Sequence, residues 1–129
     1  MQYHNYKSDQ NSILASSKET KLFKKNEIIY KEKDQISKVF IVLDGIVEST
    51  KSNNAKQSQL KLESGSSLGL IDVILDRPFS RNMKAKSTVS LAVISKNHIK
   101  NLLKINAFTG ALIKSLVIDI DNKYPNTWS

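Results

Sequence analysis

The stretch that decides the fold is Gly65-Ser66-Ser67-Leu68-Gly69-Leu70-Ile71-Asp72-Val73-Ile74-Leu75-Asp76-Arg77-Pro78-Phe79-Ser80-Arg81-Asn82-Met83-Lys84-Ala85. Its two glycines mark positions of unusual φ or close backbone approach. The apolar block Leu70 to Leu75, broken only by Asp72, is either a buried strand or a turn and a half of helix. Periodicity does not separate the two over so short a run. Pro78 closes the block. Phe79 to Ala85 then reads as a strand, which would put Arg81 on the same face as Phe79, about 6–7 Å further along.

Upstream lie short β-like runs between turns. Lys21-Leu22-Phe23 precedes the turn Lys24-Lys25-Asn26-Glu27, where Asn is suited to positive φ. Glu27 to Tyr30 reads as a strand, ended by the charged turn Lys31-Glu32-Lys33-Asp34. Val39 to Leu43 is the most apolar strand, and Asp44-Gly45 is a hairpin signal into Ile46 to Thr50. Residues 52–57 form a polar loop tip, Gln59 to Leu62 alternates, and Glu63-Ser64-Gly65 is a turn. Downstream, Val89 to Ile94 is a further strand, and after Ser95 the period changes to that of a helix. Ile99, Leu102 and Leu103 share one helical face, and Phe108, Leu112, Leu116 and Ile120 form an i, i+4 stripe. Ala111, Ile113, Val117 and Ile118 widen that stripe, so the last helix is expected to bury more than one side. Pro125 ends it.

Seven or eight short strands followed by helices predict a mainly β, α+β domain: an antiparallel roll or barrel with helices at its end. The expected organisation is a polar N-terminal arm over residues 1–20, anchored by a helical turn at Ile13-Leu14-Ala15, the roll with its helices over 21–121, and a tail over 122–129 carrying Trp128. A chain of 129 residues is one domain's worth, which argues against separate cofactor and substrate lobes. Without cysteine there is no disulfide framework, thiolate metal site or cysteine nucleophile. Apolar runs are too short to span a bilayer and the first residues carry no apolar signal core, so a cytoplasmic location is expected. The charge of +8 comes from eighteen Lys and only two Arg, spread without a dense basic block. Nucleic-acid recognition favours Arg, and no DNA-binding motif is present. A diffuse positive field still draws small anions toward a pocket.

Taken together, the turns resemble those of the cyclic nucleotide-binding domain family, from about Leu22 to Asp121. Lys24-Lys25-Asn26-Glu27 is similar to the family's Lys-Lys-Gly-Glu turn, with Asn where Gly is usual, and Glu32-Lys33-Asp34 to its Glu-Gly-Asp turn. Phe40-Ile41-Val42-Leu43-Asp44-Gly45 resembles its Tyr-Ile-Val-x-x-Gly strand and turn. Gly65-Ser66-Ser67-Leu68-Gly69-Leu70 matches the opening of its phosphate-binding cassette, which continues without a gap through Pro78 to Ala85. The resemblance implies a jelly-roll-like double-stranded β-roll capped by helices. It also implies a non-enzymatic regulatory or sensor role, requiring no cofactor, whose ligand is a cyclic nucleotide or another small phosphorylated anion.

In the family a cassette Glu accepts the ribose 2′-hydroxyl and an Arg bonds the phosphate. Leu70 and Phe79 stand at those two positions here. Losing one neutral and one charged hydrogen bond costs roughly 2–4.5 kcal/mol, about thirtyfold to two-thousandfold in affinity. An altered or weakly held anion is therefore expected, bound around Gly69, Leu70, Ile71, Phe79, Ser80 and Arg81. Arg81 and the Gly69-Leu70-Ile71 backbone would carry its charge. The competing expectation is that Arg81 points outward or pairs with Asp72 or Asp76.

Asp72 and Asp76 are expected to decorate a short helix and its turn, and Asp119 and Asp121 to be solvated. No catalytic constellation is found: His4 and His98 have no partner at ligand spacing, and no nucleophile elbow or phosphate loop occurs. Helices after the roll relay occupancy in the resembling family. Phe108 and Leu112 are expected to cap the roll, and Ile113, Val117 and Ile118 to face a protein partner or a second copy of the chain. Two other functions are weighed against the sensor, which is expected to stand alone without an output domain. One is a ligand-free interaction module whose pocket Leu70 and Phe79 have closed. The other is a small cupin-like enzyme, which two distant histidines disfavour.

Overall fold

A computed structural model describes residues 19–52 and 59–123. The helical turn at Ile13-Leu14-Ala15, most of the polar loop tip and the tail around Trp128 lie outside the described residues. Eight strands and three helices occur among those described. In chain order they are β1 (Thr20–Phe23), β2 (Ile28–Tyr30), β3 (Lys38–Asp44), β4 (Val47–Thr50), β5 (Leu60–Leu62), β6 (Ser67–Leu68), α1 (Leu70–Ile74), β7 (Asn82–Ala85), β8 (Val89–Ser95), α2 (Lys96–Lys104) and α3 (Ala107–Lys123). This is the antiparallel α+β roll that the turn order predicts.

The strands form two sheets of four, ordered β1-β8-β3-β6 and β2-β7-β4-β5. β3 and β8 are the most apolar strands and pair in the middle of the first sheet, with Phe40 opposite Val93 and Val42 opposite Leu91. In the second sheet β4 lies between β7 and β5, so Val47 faces Ala85 on one side and Leu62 on the other. Val39, Val42, Val47, Leu68, Met83, Ala85, Val89 and Leu91 are buried between the layers, with Tyr30, Phe40 and Phe79 completing one core cluster.

Asp44-Gly45 does not make a hairpin. β3 belongs to the first sheet and β4 to the second, so the turn is a corner where the chain changes layer. The reason is tertiary. Gly45 has φ 99°, and a Cβ there would collide with the Thr88 carbonyl oxygen at the start of β8. Local turn chemistry is the same for a hairpin and a corner; the neighbouring backbone of β8 selects the corner. Asn26 takes φ 77°, as its turn predicts.

The ambiguous block after Gly69 is helical. Asp76, at φ 55°, ends that turn. The strand expected from Phe79 is shorter than predicted and starts only at Asn82. Phe79 is tied instead to the charged turn: Lys33 N donates to Phe79 O at 2.7 Å and Phe79 N to Asp34 O at 3.1 Å. These bonds take the place of a sheet ladder.

Ser95 caps α2, its side chain accepting from His98 N at 3.1 Å. Ile99 is buried beneath it and Leu103 is half-buried. α3 departs from the expected faces at Val117, Phe108 and Leu112. Val117, expected at an interface, is buried within its own chain at 8% exposure, while Ile113 and Ile118 are exposed. Phe108 and Leu112, expected to cap the roll, are 73% and 55% exposed, and Leu116 is 60% exposed. An apolar helix with no single polar face leaves this choice to its neighbours. Among the described residues no helix is long and apolar enough to cross a membrane.

Gly45→Ala is expected to cost at least about 1–3 kcal/mol for the backbone conformation alone, with the Thr88 collision added. A lowered urea midpoint at unchanged slope checks this. An unaffected midpoint would mean that the corner is not constrained.

Candidate functional site

Asp72 is the first determinant of the site. It sits in the apolar block, is fully buried, and so must be satisfied locally. Ser80 donates to it through its backbone N–H at 3.1 Å and its hydroxyl at 2.9 Å. Arg77 Nε donates to Oδ1 at 2.6 Å, and the Arg77 backbone N–H closes the turn onto Asp72 O at 3.0 Å. The two terminal nitrogens of Arg77 reach the other way and grip Asp121 of α3, each at 2.9 Å. Fork geometry makes such a pair strong and directional. The carboxylates of Asp121 and Asp72, Asp121 first, hold the Arg77 guanidinium above its ordinary value, and Arg77 holds Asp121 below its own.

Asp72 and Asp121 are thus neither helix decoration nor a solvated face, correcting both expectations. Asp72 carried a usable signal, since a lone charge inside an apolar block requires a partner and Arg77 follows five residues on. Asp121 carried none, because its partner lies 44 residues away.

With Ser80 turned to Asp72, its neighbours leave in other directions. Phe79 enters the core and stacks on Tyr30, ring centroids 3.5 Å apart and planes at 9°. Its ring lies so close under Gly69 that a Cβ there would sit 2.6 Å from Phe79 Cε1. Gly69 itself has φ 88°. Tyr30 is buried, and burial, with Asp72 close by, raises its phenol above the ordinary value.

Arg81 turns toward a cavity of about 320 Å³. Leu60 and Leu62 of β5, Met83 of β7 and Leu70 and Ile71 of α1 supply its apolar walls. Ser49, Ser66, Ser67, Lys61 and Arg81 supply the polar ones, and Gly69 completes the lining. Arg81 is 1% exposed. Its Nε donates to Ser49 Oγ at 2.5 Å, and a terminal nitrogen approaches Ser49 O at 3.3 Å. Desolvation pushes the guanidinium below its ordinary value, against the opposing field of Glu32. It remains a cation at any working pH.

Of the six residues expected around a ligand, the structure gathers Gly69, Leu70, Ile71 and Arg81 on the cavity wall. Phe79 and Ser80 are not among them. Phe79 and Arg81 do not share a strand face, because residues 79–81 lie outside β7. Arg81 also does not point outward, since it is almost wholly buried, and Asp72 and Asp76 are held by other donors: Arg77 and Ser80 for Asp72, Lys100 for Asp76. Sequence reasoning missed Ser49, Leu60, Leu62 and Met83, which only the sheet register brings together: Ser49 pairs with Leu60 and with Met83. Among the described residues no three His, Asp or Glu side chains form a metal-ligand group.

A family model described as the cyclic nucleotide-binding domain matches residues 20–106. No curated protein matches the chain. Among solved structures, the cAMP-bound form of the EAL enzyme Bd1971 is similar over 81% of this chain and 29% of its own, at 19% identity and a TM-score of 0.71. The PKAR CBD2 structure with Sp-2Cl-cAMPS bound is similar over 84% of this chain and 68% of its own, at 20% identity and a TM-score of 0.65. The chain therefore spans under a third of the length of the EAL enzyme, and likeness at such identities concerns the fold alone.

Arg77→Ala is expected to cost about 2–4 kcal/mol, less than the roughly 3–5 of a fully buried pair because Arg77 is partly exposed. A loss under about 1 kcal/mol by urea unfolding would reduce the bridge to a surface ion pair. Because Asp121 is depressed in the folded state, its contribution is complete above the ordinary value of 3.8 and is lost as pH falls through the lower folded value. Asp121→Asn is expected to flatten that acid limb of the stability curve, read as urea midpoint against pH.

Proposed function

The chain belongs to the cyclic nucleotide-binding domain family, and from that membership we propose that it is a sensor domain holding a small anion beside Arg81. The single observation that carries this proposal is a buried guanidinium on the wall of a cavity. A ligand anion there would gain a charge-assisted bond in a poorly screened setting, worth about 1.5–3 kcal/mol. The forms of the EAL enzyme described as cAMP-bound and cGMP-bound support an anionic cyclic phosphate as one candidate class. Leu70 and Phe79 set its affinity low, since neither offers a polar bond to sugar or phosphate.

Reporting runs through the ion bridge. Leu70 and Ile71 line the cavity on the same short helix that carries Asp72, and Arg77 joins Asp72 to Asp121 on α3. A ligand that shifts α1 changes the seat of α3, whose exposed Phe108, Leu112 and Leu116 would meet a partner. That exposure also supports a second proposal, an interaction module that works through α3 with a protein partner or a second copy of itself.

Isothermal titration with cyclic AMP, cyclic GMP and inorganic phosphate tests the anion site. Binding is expected in the wild type and a loss of about 10- to 150-fold in Arg81→Ala; equal affinity in both proteins would remove Arg81 from the site. Sedimentation tests self-association. Leu112→Asp and Leu116→Asp are each expected to shift a dimer to monomer, and a monomeric wild type would leave only a different protein as the partner.

A further inference from the structure

The cavity's polarity is arranged along its length. Ser49, bonded to Arg81, stands opposite Leu60 on β5, while Leu62 lies two residues further along that strand opposite Val47. Two strand residues span about 6.6–6.8 Å. A group that meets Arg81 at the Ser49 row, which Leu60 and Met83 flank, therefore extends toward Leu62, with Leu70 and Ile71 also on the wall. Beyond the charged corner most of the lining side chains are hydrocarbon, with Ser66, Ser67 and Lys61 as the polar exceptions.

From this, and resting on the proposal of an anion site at Arg81, we infer that the ligand is a small anionic amphiphile: one carboxylate or phosphate head on a short hydrocarbon body. A hydroxyl-rich body is disfavoured on chemical grounds. Among the described residues no carboxylate or amide side chain lines the cavity, and the Ser49 hydroxyl oxygen already accepts from Arg81. Ser66 and Ser67 are the other hydroxyls on the wall, too few to satisfy a sugar. Sugar hydroxyls would be stripped of water against leucine and isoleucine side chains. A hydrocarbon body gains from the same walls, each buried methylene being worth about fourfold in affinity. The volume of about 320 Å³ is near the lower end for small-molecule sites, which selects a short body.

The test is a titration series on the full chain by calorimetry, with butanoate, hexanoate, octanoate, octyl phosphate, octanol, inorganic phosphate and cyclic AMP. Affinity is expected to rise about fourfold per methylene from butanoate until the cavity is full. Octanol is expected to bind at least tenfold more weakly than octanoate, and octanoate at least tenfold more weakly to Arg81→Ala. Comparing octanoate with octyl phosphate identifies the preferred head. In case Arg81→Ala fails to fold, Leu62→Gln gives a second arm: weakened octanoate with unchanged inorganic phosphate. Cyclic AMP or inorganic phosphate binding through Arg81 with no gain from chain length would overturn the amphiphile and leave the anion site standing. Octanoate binding that ignores both octanol substitution and Arg81 would overturn the charged head. No binding by any of the probes would overturn both.

Discussion

The buried carboxylate of Asp72 is the constraint on which the site depends. A carboxylate buried completely is tolerable only when donors surround it, and Ser80 and Arg77 provide them. Drawing Ser80 to Asp72 sets the path of residues 79–81, sending Phe79 onto Tyr30 and Arg81 to the cavity. Drawing Arg77 through its Nε leaves the fork of its terminal nitrogens to hold Asp121. One desolvated anion thereby organises the turn, the two side chains that flank it and the seat of the last helix.

The consequence for chemistry is a cavity that carries a deeply buried cation, Arg81, on its wall. Ser49 shares the cost of burying Arg81 by accepting from Nε, and the register of β4 with β5 and β7 surrounds that pair with Leu60 and Met83. The aromatic ring at position 79 does not close the space. It leaves the cavity altogether and fills the core under Gly69. With Phe79 in the core, the buried cation on the cavity wall is Arg81, two positions on.

α3 is held by few but different contacts: Val117 inside, the Asp121 fork, and a close crossing at Gly110, where a Cβ would collide with the Leu103 carbonyl oxygen. Its exposed Phe108, Leu112 and Leu116 recur every four residues on one stripe. The ion bridge at its end joins this helix to the turn that carries Arg77.

Strand positions, the positive-φ turns at Asn26, Gly65 and Gly69, the change of period at Ser95 and the antiparallel α+β roll were legible in the sequence, because turn chemistry and hydrophobic period are local properties. Of the six residues expected around a ligand, four lie on the cavity wall, and the short segment they share was legible as a turn from its glycines. Which sheet receives β4 after Gly45, which way Phe79 and Arg81 point, which side of α3 is covered and what Asp121 grips were decided only by tertiary structure. Each of these depends on a group far along the chain: Thr88 beside Gly45, Tyr30 beneath Phe79, Ser49 beside Arg81, Arg77 against Asp121. Burial turns those distant neighbours into strong constraints, because an unpaired charge or a collision inside the core has no solvent to relieve it.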